Sequence, residues 1–93
     1  MTFTWRGVEF HWMAYRKAFS GRLVLAQKTY WLFYQCDDRS PAATVAWCEW
    51  DGGHTRPRTS GEISDALDGA VFALEDHLQE TMNNLQAYLK RTP

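Results

Sequence analysis

Nine apolar residues, Ile63, Leu67, Ala70, Val71, Leu74, Leu78, Met82, Leu85 and Leu89, recur at three- and four-residue intervals. That spacing gathers them into one stripe of an α-helix. The pattern predicts a helix over about 60–90, of about 28 residues and about 42 Å at 1.5 Å per residue. Thr59 and Glu62 stand as T-x-x-E ahead of the stripe, the spacing of a capping box. A helix with a single greasy face must lie on something, and the preceding fifty residues supply it.

Those residues read as strands. "FTWRGVEFHW" gives two β segments around Arg6–Gly7, and "VEFHWMAYR" alternates Val8, Phe10, Trp12 and Ala14 against Glu9, His11, Met13 and Tyr15. "FSGRLVLA" carries a turn signal at Ser20–Gly21, and a further turn or bulge falls near Gln27–Lys28. "TYWLFYQC" and "ATVAWCEW" are the later strands, separated by the loop "DDRSP" and followed by the loop "DGGHTRPRTSG". The expected fold is a single α+β domain. It has an antiparallel sheet of three to five strands over about 2–50, a loop over 51–59, and one long C-terminal amphipathic helix packed on one face.

The sheet has a second face to account for. In "TYWLFYQC" one side shows Thr29, Trp31, Phe33 and Gln35, the other Tyr30, Leu32, Tyr34 and Cys36, and neither is polar. An antiparallel sheet covered on one side alternates apolar with polar. The surplus follows a composition 15% aromatic and 45% hydrophobic in 93 residues, enough for one core and not two. Either the sheet curls on itself, or the second face meets another chain, a copy of its own or a target.

Charge divides the chain although the net is only −1. Residues 1–35 carry Arg6, Arg16, Lys17, Arg22 and Lys28 against Glu9, a local +4, and residues 61–89 carry six acids and no Lys or Arg. Acids early in a helix and Lys90–Arg91 at its end suit the helix dipole. At 100° per residue the side opposite the apolar stripe shows Asp65, Asp68, Phe72, Asp76, Gln79, Glu80 and Asn83. Phe72 is thus expected to point outward among carboxylates, with Gly69 leaving a shallow notch beside it. An outward aromatic in an acidic field fits a basic groove on a partner.

Chemistry finds little footing. Cys36, Cys48, His54 and His11 lack the paired spacing of a zinc site, and two cysteines make no disulfide framework. Asp37, Asp38, Glu49 and Asp51 read as loop acids beside a turn. No nucleophile–base motif or phosphate loop is present, so neither enzyme activity nor a cofactor is expected. Met1 runs directly into the strand-like "TFTWRG", and no apolar run reaches the length of a membrane helix. The expected setting is cytoplasmic.

Arg6, Arg16, Lys17, Arg22, Lys28, Arg56 and Arg58 beside sheet aromatics raise nucleic acid as an alternative partner. The strands-then-helix order resembles the later part of a double-stranded-RNA-binding domain. It departs in lacking a leading helix and in an acidic start to the last one, which opposes phosphate binding.

"AWCEWDGG", a Trp-punctuated strand ending in a turn, and the Ala- and acid-rich "SGEISDALDGAVFALEDHLQ" resemble small phage- and prophage-encoded sheet-plus-helix proteins, the pool that includes anti-CRISPR inhibitors. The resemblance spans about residues 44–80 and is one of architecture and composition, without a motif. It implies a non-enzymatic module that binds and blocks a host defence complex. The acidic face of Asp65, Asp68, Phe72, Asp76 and Glu80 would be the contact surface. The other expectations are a nucleic-acid-binding domain using the basic strands and a homodimer closed through the second sheet face.

Overall fold

In a computed structural model that describes residues 2–37, 40–56 and 58–90, an antiparallel sheet is followed by one long helix. The strands are β1 (Thr2–Trp5), β2 (Val8–Met13), β3 (Ala18–Leu25), β4 (Lys28–Asp37), β5 (Ser40–Trp50), β6 (Gly53–His54) and β7 (Thr59–Gly61), and the helix is α1 (Ile63–Lys90). Strands β1 to β6 neighbour one another in chain order, and β7 also pairs with β5. The α+β architecture is the expected one, with seven strands among the described residues where three to five were expected. The additional ones are short. β6 and β7 come from the segment read as a loop, and both pair along β5, at Glu49–Trp50 and at Thr44–Ala46. Asp38 of the expected "DDRSP" loop and Arg91 lie outside the described residues.

Two hairpins close over two residues each. Arg6–Gly7 and Ala26–Gln27 both take positive φ at both central positions, 48° and 80° in the first and 50° and 67° in the second. This is the turn whose twist matches that of the flanking strands. The turn expected at Ser20–Gly21 is not there: the chain reverses over residues 14–17, with Arg16 N–H donating to Met13 O at 3.1 Å and Lys17 N–H to Ala14 O at 3.2 Å. Gly21 instead lies mid-strand opposite Phe10 and Leu32. A Cβ on it would stand 2.6 Å from Val8 Cγ1 and 3.0 Å from Phe10 Cε1. Glycine is there to leave room for the Val8 and Phe10 side chains, not to turn the chain.

One sheet face carries Phe10, Tyr30, Leu32, Tyr34, Ala46 and Cys48, and onto it pack Ala66, Leu67, Ala70 and Leu74 of α1. Each fully buried leucine here contributes about 1.5–3 kcal/mol of transfer free energy. Where the helix does not reach, aromatics cover one another. Phe19 stacks on Tyr34 with ring centroids 4.9 Å apart, and Phe10 meets Tyr34 at 5.3 Å.

The helix start differs from a capping box. α1 begins at Ile63, and Thr59 sits in β7. Its hydroxyl donates to the carbonyl oxygens of Ala66, at 2.6 Å, and Ala46, at 3.4 Å, instead of accepting from a helix N–H. The notch expected at Gly69 is likewise filled, because a Cβ there would lie 2.6 Å from Thr59 Cγ2. Thr59 and Gly69 together let β7 and α1 approach closely.

The second face forms a small core of its own. Phe33 and Trp47 are directly opposed on β4 and β5 and stack with centroids 5.4 Å apart and ring planes within 10°. Ala18 completes the buried cluster, with Met13 and Val45 against it. The Arg16 guanidinium lies 4.6 Å from the Phe33 centroid, and that of Arg58 lies 4.1 Å from Trp47. Glu49 ion-pairs with Arg16 and accepts from Trp47 Nε1 at 2.6 Å. Two arginine lids, drawn from a turn and a loop, thus cover the aromatic pair that β periodicity left unexplained.

Candidate functional site

The outer face of α1 is held on a rigid base. Ala66, Leu67, Ala70 and Leu74 beneath it are fully buried, Trp5 Nε1 donates to Ser64 Oγ at 3.3 Å, and Arg6 ion-pairs with Asp68 at 2.8 Å. Phe72 projects from this base and is 71% exposed. Asp65, Asp76 and Glu80 are exposed on the same side. Asp68 is half-buried and engaged by Arg6, so the field around Phe72 comes from Asp76 and its neighbours. The 62-residue separation of Arg6 and Asp68 left no sequence signal for that pairing.

Beyond His77, whose ring stacks on Trp50 at 4.6 Å, α1 outruns the sheet. Every residue from 79 to 90 is exposed, and the molecule measures 58 Å along its long axis against 24 and 23 Å across. The apolar stripe does not stop where the sheet does: Met82, Leu85 and Leu89 are each more than half exposed. Periodicity placed these residues on the core face; only the length of the sheet shows that no core lies there.

The basic residues of the first strands are not brought into one patch. Arg6 and Lys28 belong to the hairpin end containing turns 6–7 and 26–27, whereas Arg16 and Lys17 lie at the opposite end, in the 14–17 turn. Arg6 is committed to Asp68 and Arg16 to Glu49. Lys28 Nζ stands 5.7 Å from the Tyr30 ring on the helix-covered side, while Arg22 pairs across the strands with Trp31 on the other.

Trp31 is 41% exposed and borders an open cleft of about 560 Å³ with Tyr15, Arg16, Glu49 and Asp51. Ser20 is among its lining residues, buried, with a hydroxyl that has no hydrogen-bond partner among the described residues. The cleft leaves no mark in the sequence, because Ser20–Gly21 has the composition of a turn and the residues that line it come from separate strands.

The cysteines are free thiols and do not face each other. Cys36 Sγ contacts Thr44 Oγ1 at 3.2 Å, whereas Cys48 is opposite Leu32, four residues before Cys36 in β4. Burial pushes the Cys48 thiol up to about 12, with the Glu49 carboxylate adding to the effect. Burial likewise raises the Tyr34 hydroxyl to about 12. Among the described residues no three His, Cys, Asp or Glu side chains gather to hold a metal ion, and no helix is long and apolar enough to cross a membrane. Of the four acids considered together, Asp38 lies outside the described residues. No protein family, curated protein or solved structure matches the chain.

Proposed function

We propose that this chain is a non-enzymatic protein-binding module acting through the outer face of α1. The observation that carries this reading is Phe72, 71% exposed on the half of the helix whose underside, at Ala66, Leu67, Ala70 and Leu74, is fully buried. A large aromatic held out from a rigid element loses little freedom on docking, which is the property of an interface anchor. Asp65, Asp76 and Glu80 around it favour a basic groove on the partner and speed the encounter. A phage-type inhibitor of a host defence complex is the setting that the sheet-plus-helix resemblance supports.

Nucleic-acid binding draws less support, because Arg6 and Arg16 are neutralised by Asp68 and Glu49 and the remaining cations are spread over both ends and both faces. Counterion-release binding requires several free cations along one track.

The test places a photo-crosslinking residue at position 72, with a control at Thr4, and exposes the protein to host lysate. A partner crosslinked at 72 and not at Thr4, whose pull-down by the unsubstituted protein is lost in the Phe72→Ala/Asp76→Lys variant with thermal unfolding unchanged, is the expected result. Partner capture that survives the double substitution would show that this face is not the contact.

A further inference from the structure

We infer that the overhanging end of α1 is a self-association surface, on which a second copy of this chain packs antiparallel. Leu78, Met82, Leu85 and Leu89 follow one another at intervals of four, three and four, the spacing of a coiled-coil seam. In an antiparallel pair such a seam closes on itself about a two-fold axis. Leu78 then meets the partner copy's equivalent of Leu89, and Met82 that of Leu85. Four apolar layers form from one repeated patch, as an isologous interface requires.

The surface is already shaped for this. Glu75, Leu78, Gln79 and Met82 line a groove of about 360 Å³. Their positions, i, i+3, i+4 and i+7, are the four residues that make a hole for one incoming knob. In the antiparallel register the Leu89 of the second copy arrives over this groove. Lengths agree as well: the exposed stretch of each helix begins where the sheet ends, so in this register Lys90 of one copy comes level with His77, at the sheet edge of the other.

Charge selects the orientation. Between residues 78 and 90 only Glu80 and Lys90 are charged. The seam is flanked by Gln79, Thr81 and Gln86, none of which repels its own copy. Antiparallel packing carries Lys90 to the level of His77, beside Glu75 and Asp76 of the second copy, whereas parallel packing sets Lys90 against Lys90 and acids against acids. Just over half of each of Met82, Leu85 and Leu89 remains to be covered, while Leu78 is already partly packed on the core. The pair would bury on the order of 800 Å² in total with flanking residues included, below the roughly 1,200 Å² of stable interfaces and in the range of weak, transient ones. The expected association is therefore reversible, with a dissociation constant in the micromolar range.

Equilibrium sedimentation over a dilution series, from low micromolar to submillimolar, tests the proposal. The expected mass moves from 10.8 kDa to twice that value with increasing concentration. Leu85→Glu should leave a monomer throughout, with the thermal transition of the body retained because Leu85 is solvent-exposed. Lys90→Glu, a milder change at the helix tip, should weaken the dimer several-fold. A monomer at every concentration overturns the inference. So does a dimer that Leu85→Glu leaves intact, which would return self-association to the second sheet face. Spin labels on Lys90→Cys should lie about 20 Å apart along the axis in the antiparallel pair, and a near-contact distance would overturn the orientation.

Discussion

Gly69→Ala tests whether the helix is seated as described. In an open helix interior this change adds about 1 kcal/mol of stability through helix propensity. Here the new methyl would stand 2.6 Å from Thr59 Cγ2, 2.8 Å from Cβ and 3.0 Å from Oγ1. Thr59 is a short branched side chain with no flexible end to swing away, and its hydroxyl is tied to Ala66 O at 2.6 Å. Restoring ordinary contact requires β7 and α1 to separate by most of an ångström. Overpacking of this kind costs about 1–3 kcal/mol, and a broken hydrogen bond adds about 1 kcal/mol. Net destabilisation of about 1–3 kcal/mol is expected, a fall in Tm of about 4–8 °C for each kcal/mol in a domain of this size. Thr59→Ala alone should lose about 1–2 kcal/mol from the hydroxyl and methyl it removes. The double variant should recover most of the loss, since the added methyl then occupies the vacated space, and the cycle should give a coupling of about 1–3 kcal/mol. Guanidinium titration followed by circular dichroism and tryptophan fluorescence measures all four proteins. A Gly69→Ala variant more stable than the parent would refute the reasoning, because the notch would then be open and Thr59 not packed in it.

Replacing Ala26–Gln27 by Asn-Gly should stabilise the protein by about 1 kcal/mol, since both residues hold a left-handed backbone that Asn and Gly adopt more readily; an unchanged or lower Tm would contradict the assigned turn. Arg16→Ala removes the ion pair to Glu49 and the cation over Phe33 together, and should cost about 0.5–1.5 kcal/mol by thermal denaturation. Arg16→Lys should recover only part of that, because the flat guanidinium is what covers the ring. Stability should also fall at alkaline pH. Cys48 and Tyr34 hold their protons more tightly folded than unfolded, both reaching about 12 from ordinary values of 9.0 and 10.0. Their contribution is fully present below pH 9 and is lost as the pH rises from there toward 12, because the unfolded chain ionises first. A urea midpoint that stayed level between pH 8 and 11 would show that neither group is buried as described.

What the sequence determined by itself is what local periodicity can specify. A 3.6-residue repeat defined α1 and its two faces, so the exposure of Phe72 and the burial of Leu67, Ala70 and Leu74 were legible from the chain alone. Arg6–Gly7 was legible for the same reason, as a turn set by two adjacent residues. The candidate contact face could be named residue by residue because it lies on one helix. Tertiary structure decided everything that depends on two distant segments meeting. Gly21 and Gly69 carried the signals of a turn and a notch, yet each makes room for a neighbour remote in sequence, Phe10 in one case and Thr59 in the other. Trp47 and Phe33 looked uncovered because their lids, Arg58 and Arg16, come from outside either strand. Asp68 looked free until Arg6 arrived from the first hairpin. The apolar stripe ran evenly from Ile63 to Leu89, and nothing within it marks where the sheet ends. That boundary is set by how far β4, β5 and β7 extend beneath the helix, and it turns one half of a uniform pattern into core and the other half into surface.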